Sequence, residues 1–355
     1  MSTLKVTNIE NPAGGGVSAK IADVGGGQLS NRNLIHNGAM KIAQRGTSES
    51  GLTDSPKFVV DRFSYRRTGA WGTNSFTMSQ QSSGAPGGFT HFLRLAQSGT
   101  AAAPPTDTSC ALSTVLEGFN IAQAGFGTSS AKDLTVSFYA KGSVAGTYCF
   151  FLINQAADQS YIAEYSLTTS WTRFEITIPA RTTGTWLTDN DKGFELHWIV
   201  TADSDSTLYG GSEGWNTANS RWTSDQIETF ASTSGATFDL TGVQLEVGSV
   251  ATTFEHRSFG DDLRDCQRYY QIVSTGGAGT ATAGSQTNSA HCGVTFPVEM
   301  RDTPTITVGS ASTSTNCSSF GAAAITKRGF LGSATSTASG RQFWFIPSNI
   351  AEKEF

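Results

Sequence analysis

Five side chains with the chemistry to hold a sugar lie in polar, loop-like stretches of the sequence. They are Trp186, Tyr209, Trp215, Arg221 and Trp222. Sugars present flat apolar faces that stack on exposed aromatic rings, while nearby polar side chains bond the surrounding hydroxyl groups. We therefore predict a carbohydrate-binding surface built from these residues. The alternative is that the tryptophans cap the open ends of a hydrophobic core or lie at a subunit interface.

A serine-nucleophile motif is present in form only. Residues 210–214 match G-x-S-x-G, which in hydrolases places the serine on a tight turn between a strand and a helix. Here a polar run precedes the motif and Trp215-Asn216-Thr217 comes after it, so neither flanking element is expected. We therefore predict a loop and no catalytic serine.

Enzymatic cleavage of a polysaccharide would need two carboxylic side chains that face each other across the scissile bond. The carboxylates within strand-like segments are Asp61, Glu117, Glu164, Glu175 and Glu195. Their alternation with apolar residues predicts that most of them lie on solvated strand faces. The sequence indicates no catalytic pair, so we predict that the protein is not an enzyme.

No metal or cofactor site is predicted. The pairs Asp203/Asp205 and Asp189/Asp191 could hold calcium, but they lack the glycine and the distal glutamate of an EF-hand loop. Aspartate is common in turns because it bonds the local backbone, and we assign these residues to turns. The 5 histidines lack zinc-ligand spacing. The 5 cysteines include no C-x-x-C pair, which indicates free thiols in a protein made in a reducing compartment.

The composition favours many short strands joined by glycine turns. Among 355 residues, 39 are glycine and 15% are charged, a mixture that disfavours long helices. The formal net charge of −5 argues against nucleic acid as a partner, because nucleic-acid-binding proteins cluster lysine and arginine on one surface. The first residues lack the apolar core of a secretory signal, and the longest apolar run, 148–153, is too short to insert in a membrane.

Alternating apolar and polar residues predict a series of strands in the first part of the chain. They cover residues 58–66, 75–80, 91–96, 110–119, 134–140, 147–154, 161–167, 171–178, 194–200 and 238–247. Many short strands with turn signals between them, and without alternating helices, predict an all-β fold. A two-sheet jelly-roll β-sandwich fits this pattern best. Trp171 and Trp198 fall in strand patterns and are predicted to lie in its core.

The stretch 238–271 leads from this sandwich to the C-terminal part of the chain. Its alternation changes phase at Thr241-Gly242, which predicts a β-bulge. Residues 261–272 form the one convincing helical pattern, with Asp261 and Asp262 at its positive N-terminal end. Beyond it we predict a loop over 274–289 and strands over 292–300, 304–309, 320–327 and 341–347.

Four parts of the chain are predicted. They are an extended N-terminal anchoring arm (1–32), a jelly-roll domain (33–258), a linking helix (259–273) and a small C-terminal β-module (274–355). The arm has two short apolar clusters between glycine runs, so we expect it to become ordered by pairing with another chain, or else to be a frayed terminus. The run 341–346 is aromatic on both faces, which suggests that the module packs on a partner such as a symmetry mate.

Several segments resemble tail-fibre and related structural proteins of tailed bacteriophages. The segments are NLIHNGAMKIAQRG (33–46), FVVDRFSY (58–65), LTVSFYAKG (134–142), the stretch 238–271 and FPVEMRDTPTITV (296–308). In that family a carbohydrate-binding-module-like jelly roll is followed by a QLE…FEHR…CQRYY segment and a small β-module that opens with F-x-V-x-M-R-x-x-P. The matching residues here are Phe296, Val298, Met300, Arg301 and Pro304, whereas residues 316–355 depart from the family pattern.

The resemblance implies a homotrimeric tail fibre of a virion, synthesised in the cytoplasm of a bacterial host. It also implies that the arm, which resembles N-terminal anchoring segments of virion proteins, binds other virion proteins, and that the jelly roll attaches to a bacterial surface glycan. Two other functions stay open. One is a head decoration or fibre-adaptor protein without a receptor role. The other, less favoured, is a polysaccharide depolymerase.

Overall fold

The structure is a computed structural model, which describes residues 8–9, 19–20, 31–52, 56–281, 289–338 and 340–355. Its contacts divide the chain into two units, Met1–Arg257 and Ser258–Phe355. Near the N-terminus two short strands, β1 (Asn8–Ile9) and β2 (Ala19–Lys20), pair antiparallel. The rest of the predicted arm, up to residue 30, lies outside the described residues.

The strands of the first unit agree closely with the prediction. In chain order they are β3 (Ser48–Leu52), β4 (Lys57–Phe58), β5 (Phe63–Thr68), β6 (Phe76–Gln81), β7 (Phe92–Gln97), β8 (Ser109–Glu117), β9 (Leu134–Gly142), β10 (Gly146–Asn154), β11 (Ser160–Leu167), β12 (Thr172–Ile178), β13 (Lys192–Ala202), β14 (Gly214–Asn216) and β15 (Thr237–Val247). Two short α-helices, α1 (Gly118–Ile121) and α2 (Thr229–Ser232), and a 3-10 helix (Ala122–Ala124) lie in the connections. Every predicted strand is present, and β3, β4 and β14 are additional.

These strands form two antiparallel sheets. The seven-stranded sheet has the order β14-β11-β10-β13-β8-β5-β4, and the six-stranded sheet has the order β12-β9-β15-β7-β6-β3. Consecutive strands such as β8 and β9 therefore often belong to different sheets, as in a double-sheet jelly roll. The predicted fold class is confirmed: the chain is an all-β protein built on a jelly-roll β-sandwich.

Aromatic side chains from both sheets meet in the core. Trp198 on β13 lies 5.5 Å from Phe150 on β10 and 5.7 Å from Phe138 on β9 of the opposite sheet, measured between ring centroids. All three rings are fully buried. Trp198 is thus a core residue, as predicted. Trp171 is not, because it lies half-buried on the outer side of the six-stranded sheet, 5.2 Å from the ring of Phe92.

A bulge in β15 confirms the predicted change of phase. Its pairing with β9 shifts register between Thr241 and Gln244, and Gly242 adopts a φ of 62°, which glycine tolerates best. The neighbouring residue, Val243, is also approached closely by Gly38. A Cβ atom at Gly38 would lie 2.0 Å from the Val243 carbonyl oxygen, so only glycine fits this contact.

Hydrogen bonds fasten the segment that enters the sandwich to the segment that leaves it. The side-chain amide of Asn33 donates to the Val243 carbonyl at 3.1 Å and accepts from the Leu245 N–H at 3.1 Å. The Glu255 carboxylate accepts from the backbone N–H groups of Asn31 and Asn33, at 2.7 and 2.9 Å. The entry and the exit of the chain therefore lie side by side on the sandwich.

The second unit begins with a helix that is shorter than predicted. Helix α3 spans Phe259–Gln267, and the hydroxyl of Ser258 caps it by accepting from the Asp261 N–H at 3.1 Å. It starts and ends earlier than the predicted helix over 261–272, because Tyr270 already belongs to a strand. No helix in the described part of the chain has the length and apolar character needed to span a membrane.

Seven strands come after α3. They are β16 (Tyr270–Ala281), β17 (Ser289–Thr295), β18 (Thr305–Thr307), β19 (Thr313–Thr315), β20 (Cys317–Thr326), β21 (Gly329–Ser336) and β22 (Gly340–Glu352). One sheet has the order β16-β22-β18, with β19 also paired to β22, and the other has the order β17-β21-β20. Residues 274–281, predicted to be loop, extend β16 because they pair with β22.

The F-x-V-x-M-R motif closes the core of the second unit. Phe296 and Met300 are buried together with Phe330 and other apolar side chains. The guanidinium of Arg301 lies 3.9 Å from the ring centroid of Phe355. The motif is therefore structural.

Strand β22 has aromatic side chains on both faces, as predicted. Trp344 and Ile346 are buried, whereas Phe343 and Phe345 are 45% and 39% exposed. Neighbouring aromatic rings that remain exposed are typical of association surfaces.

Candidate functional site

Two of the predicted sugar-binding residues are packing residues. Trp222 is fully buried, and its indole N–H donates to the Asp203 carbonyl oxygen at 2.8 Å. Trp186 is 9% exposed, and its indole N–H donates to the Thr183 carbonyl oxygen at 2.9 Å. Burial leaves neither ring with a face for a sugar. The structure thus corrects the prediction for these two residues in favour of the packing alternative.

Trp215 joins Trp186 at the border of the sandwich core. The two rings meet edge to face, with 6.0 Å between centroids. The indole N–H of Trp215 donates to the Pro179 carbonyl oxygen at 2.9 Å, and the Arg181 guanidinium lies over the ring at 5.2 Å. Trp215 is half-buried, so the two rings cap the core rather than offer an open stacking surface.

The remaining two predicted residues, Tyr209 and Arg221, form a stack with Trp222. The rings of Tyr209 and Trp222 lie 5.5 Å apart, and the guanidinium of Arg221 lies 4.2 Å from the Tyr209 centroid. Trp222 in turn packs with Phe151 and Ile199, which point outward from the seven-stranded sheet. The buried tryptophan therefore supports the tyrosine and the arginine from below.

Arg221 lines a cleft of about 260 Å³ on the outer face of the seven-stranded sheet. We call it the outer-face cleft, and its lining residues are Arg66, Arg67, Thr68, Phe151, Ile153, Asn154, Gln155, Ala157, Lys192, Glu195, His197, Asn219 and Arg221. Most of them come from β5, β10 and β13 or from the ends of these strands. Alternate residues of a strand share a face, so the sheet brings their outward side chains together. The volume is just below the usual range for small-molecule sites.

The floor of the cleft is a pair of stacked rings. Phe151 on β10 and His197 on β13 are cross-strand partners, with 4.2 Å between ring centroids and 7° between ring planes. Ser113 and Ser64 continue the same row across β8 and β5, and their hydroxyl oxygens are 2.8 Å apart. The register of the sheet therefore fixes where the floor lies.

Among the described residues, Glu195 is the one carboxylate that lines the cleft, and both of its oxygens are engaged. Oε1 accepts from the Lys192 ammonium, and Oε2 lies 2.7 Å from His197 Nε2. Burial raises the pKa of the Glu195 carboxyl, but the hydrogen bond from His197 and the charges of Lys192 and Arg66 outweigh it, so the net pKa is well below the usual range. Glu195 is thus an ionised acceptor and a poor proton donor.

His197 is neutral near pH 7. Burial lowers its pKa, and the charges of Arg66 and Arg221 lower it further, against the opposing influence of Glu195. Because the ionised Glu195 can only accept, the hydrogen bond assigns the proton to Nε2 and leaves Nδ1 as the acceptor nitrogen. The floor therefore presents an uncharged imidazole among charged neighbours.

Amide side chains complete one wall of the cleft. Asn154 donates to the Asp158 carboxylate at 2.6 Å, which locks the turn after β10. Gln155 on this turn is exposed, and Asn219 accepts from Arg221 Nε at 3.0 Å. The Asn154 amide is fully engaged, because it also donates to the Thr185 carbonyl oxygen and accepts from the backbone N–H groups of Asp158 and Gln159. Gln155 and the amide nitrogen of Asn219 can bond the hydroxyls of a ligand.

Of the cleft residues, the sequence pattern singled out Arg221 for binding, but missed Arg66, Phe151, Lys192 and His197. One available signal is the run 148–153, which is apolar without alternation. A strand with apolar residues on both faces must be covered on both, so an outward Phe151 indicates a second buried surface over β10.

Two of the carboxylates expected on solvated strand faces are buried, and Asp61 lies in the turn before β5, which corrects the expectation. Asp61 and Glu117 are 1% and 2% exposed. The Asp61 carboxylate accepts from the Gln44 amide at 2.5 Å and from the Arg45 guanidinium at 3.2 Å. Asp61 is thus held in a structural network.

The remaining motifs show no catalytic or metal-binding geometry. Ser212 lies in the loop before β14, and the next element is a strand rather than a helix. Asp203 accepts from the Asp107 N–H at 2.7 Å and Asp189 from the Asp191 N–H at 2.9 Å, as turn residues do. Among the described residues, no three His, Cys, Asp or Glu side chains are placed to hold a metal ion. All five cysteines are free.

The sequence matches no protein-family model and no curated protein. Among solved structures, the enzymatically active domain of tailspike protein 4 from bacteriophage CBA120 is similar over 61% of this chain and 21% of its own, with 9% identity and a TM-score of 0.33. A family 11 carbohydrate-binding module from Clostridium thermocellum is similar over 59% of this chain and 98% of its own, with 15% identity and a TM-score of 0.28. A xylan-binding domain from Paenibacillus barcinonensis is similar over 63% of this chain and 97% of its own, with 10% identity and a TM-score of 0.30. At these identities the likeness concerns the fold alone.

Proposed function

We propose that this chain is a non-enzymatic, glycan-binding virion protein, a tail fibre that attaches a tailed phage to sugars on the bacterial surface. The observation that carries the proposal is the outer-face cleft, where charged and amide side chains converge above the buried rings of Phe151 and His197. A sugar residue carries several hydroxyl groups, each of which needs a hydrogen-bonding partner. The cleft lies on a β-sheet whose register fixes its geometry.

The state of Glu195 favours binding without cleavage. A glycosidase needs one carboxyl group that can donate a proton and a second carboxylate across the bond. Glu195 is ionised and already bonded to Lys192 and His197. In the part of the chain that the structure describes, no second carboxylate lines the cleft.

The virion part of the proposal is supported by the segments that resemble phage proteins. Two of them, 33–46 and 238–271, contain the Asn33 contacts that tie the chain entry to β15. A third contains Phe296 and Met300, which close the core of the second unit. These segments therefore specify the scaffold, while the receptor role depends on the cleft.

A structural role in the particle is the second candidate. The exposed rings of Phe343 and Phe345 on β22 favour it, because they offer a surface for assembly. Imaging of labelled virions separates the two candidates: a position on the tail supports the fibre, and a position on the head supports a decoration protein.

The test of glycan binding uses the purified full chain and polysaccharide extracted from the host surface, with calorimetry as the readout. We expect binding that Lys192→Ala weakens about tenfold or more, because this change removes a donor in the cleft and frees Glu195 from its partner. Arg328→Ala is the control, since Arg328 is 80% exposed in the second unit. Absence of binding would contradict the glycan role, and release of new reducing ends would contradict the absence of catalysis.

A further inference from the structure

The outer-face cleft is positive although the whole chain is negative. Arg66, Arg67, Lys192 and Arg221 line it against one carboxylate, Glu195. Four cations and one anion leave a formal excess of three positive charges in a chain with a net charge of −5. Clustered charge of one sign in a cleft raises the local concentration of ligands of the opposite sign.

The carboxylate in the cleft makes no ion pair with Arg66 or Arg221. Both oxygens of Glu195 are taken by Lys192 and His197. Among the described residues, Arg66 and Arg221 have no carboxylate oxygen within the 4.0 Å of an ion pair. The next acid, Glu117, is in register beside Lys192 on β8 but does not line the cleft. The two arginines therefore lack an ion-pair partner in the described protein, and the Glu195 carboxylate acts on them only at longer range.

Both arginines are partly withdrawn from water. Nε of Arg66 is buried without a hydrogen-bond partner. The Arg221 guanidinium lies 4.2 Å from the Tyr209 ring centroid, and its Nε donates to Asn219, so the two terminal nitrogens remain for a ligand. Burial lowers the pKa of Arg221, although an arginine stays protonated in proteins. A cation that has lost water and found no counterion destabilises the protein, and a bound anion offsets this loss.

We infer that the outer-face cleft binds an acidic sugar residue, whose carboxylate pairs with the guanidinium groups of Arg66 and Arg221. This inference rests on the proposed glycan-binding function and names the class of glycan. Both arginines line the cleft together with Phe151 and His197. The planar guanidinium fork matches the two oxygens of a carboxylate, which makes arginine well suited to such recognition.

The size and surroundings of the cleft favour a sugar over other anions. About 260 Å³ is a volume for a small ring rather than for a long polyanion. Nucleic acid would need an extended basic surface, which a chain of net charge −5 does not favour. The side chains of Gln155 and Asn219 at the cleft can bond the hydroxyl groups of a sugar ring, which a free inorganic anion lacks.

The test measures calorimetric binding of the full chain to oligosaccharides that contain glucuronate, galacturonate or N-acetylneuraminate. Each ligand is paired with its carboxyl-reduced, neutral counterpart. We expect at least one acidic ligand to bind, its neutral counterpart to bind at least about tenfold more weakly, and the affinity to fall as salt screens the charges. Arg66→Gln and Arg221→Gln should each weaken acidic binding to a similar extent, whereas the exposed control Arg328→Gln should not. Thermal unfolding verifies that each variant is folded.

The outcomes separate this inference from the proposed function. Equal binding of a neutral counterpart would overturn the acidic class and leave glycan binding intact. Equal binding of a sulfated oligosaccharide that has no carboxylate would overturn the assignment to a carboxylate. Failure of every acidic and neutral ligand, together with failure of host polysaccharide, would overturn both. The salt dependence of the unmodified chain provides a test that does not depend on any variant.

Discussion

The imidazole of His197 lies parallel to the ring of Phe151, with 4.2 Å between centroids and 7° between planes. Its Nε2 is 2.7 Å from Glu195. Burial and the charges of Arg66 and Arg221 favour the neutral ring, against the opposing influence of Glu195. The cleft is thus organised around an imidazole that acid would disturb.

Stability should fall as the pH decreases below the ordinary histidine pKa of 6.5. Because the pKa of His197 is lower in the folded chain, the unfolded chain binds the proton more tightly. The stability that neutral His197 contributes is therefore fully present only above pH 6.5 and is lost as the pH falls. We expect the free energy of unfolding in urea to decrease from pH 7.5 to 5.5. In His197→Gln the amide can still donate to Glu195 but does not titrate, so the decrease should be smaller. His291→Gln, at an exposed position, is the control. An equal decrease in all three proteins would refute the role of His197.

Trp222 and Tyr209 should differ in what their removal does. Trp222→Ala leaves a cavity beneath the arginine and should reduce the free energy of unfolding by about 3–5 kcal/mol. Tyr209→Ala removes only a half-buried ring, so it should reduce the free energy of unfolding less than Trp222→Ala does. It should weaken ligand binding more than Trp222→Ala does, because the Tyr209 ring contacts the Arg221 guanidinium directly. Chemical unfolding and calorimetry on the same samples check both. A fully stable Trp222→Ala protein would be incompatible with the burial described for this residue.

Gly38→Ala should destabilise the first unit. The added methyl group would meet the Val243 carbonyl oxygen at 2.0 Å, so the backbone must shift. We expect a loss of about 1–3 kcal/mol, in the range of overpacked sites. Gly87→Ala is the matched control, because nothing lies within 4 Å of a Cβ atom there. Similar melting temperatures for the two variants would show that the contact is not restrictive.

Phe343 and Phe345 should contribute to self-association. We expect the full chain to form an oligomer, as the phage resemblance implies, and Phe343→Ser with Phe345→Ser to lower its order or its stability in light scattering. The reason is that the two outward rings lose apolar area on association, worth about 25 cal/mol per Å². Phe259→Ser is the control, since Phe259 is 58% exposed on α3 rather than on β22. A monomer both before and after the change would end the proposal of a trimer.

Removal of residues 1–30 should leave the sandwich folded, because its described core begins at Leu34. We expect unchanged unfolding of the truncated chain together with loss of incorporation into virions. Normal loading of the truncated chain would show that the anchor lies elsewhere.

The strands could be predicted because their signal is local. Phe194, Leu196 and Trp198 alternate with polar residues, and all three are buried in β13. The extension of β16 could not be predicted, because glycine-rich residues 274–281 become a strand only by pairing with β22, far along the chain. The local sequence does not indicate which distant strand will pair with it.

The candidate site was hidden for a related reason. Arg66, Phe151 and His197 stand on three different strands, and only the order and register of the sheet bring them together. The prediction for Trp222 was wrong because its polar neighbours in the sequence indicate an exposed loop. In the structure, residues distant in the chain cover its ring. Polar loops can still bury a ring when they fold back onto a sheet.

The bonds from Asn31 and Asn33 to Glu255 bear on how the protein would carry a load. Tension between the segments before Asn31 and after Glu255 would act on this short bridge and need not pass through the core strands. The same adjacency lets the sandwich behave as an insert, because chain ends that lie close together allow one domain to be exchanged for another. For the proposed tail fibre, exchange of this sandwich for one with a different cleft would be a simple route to a change of host.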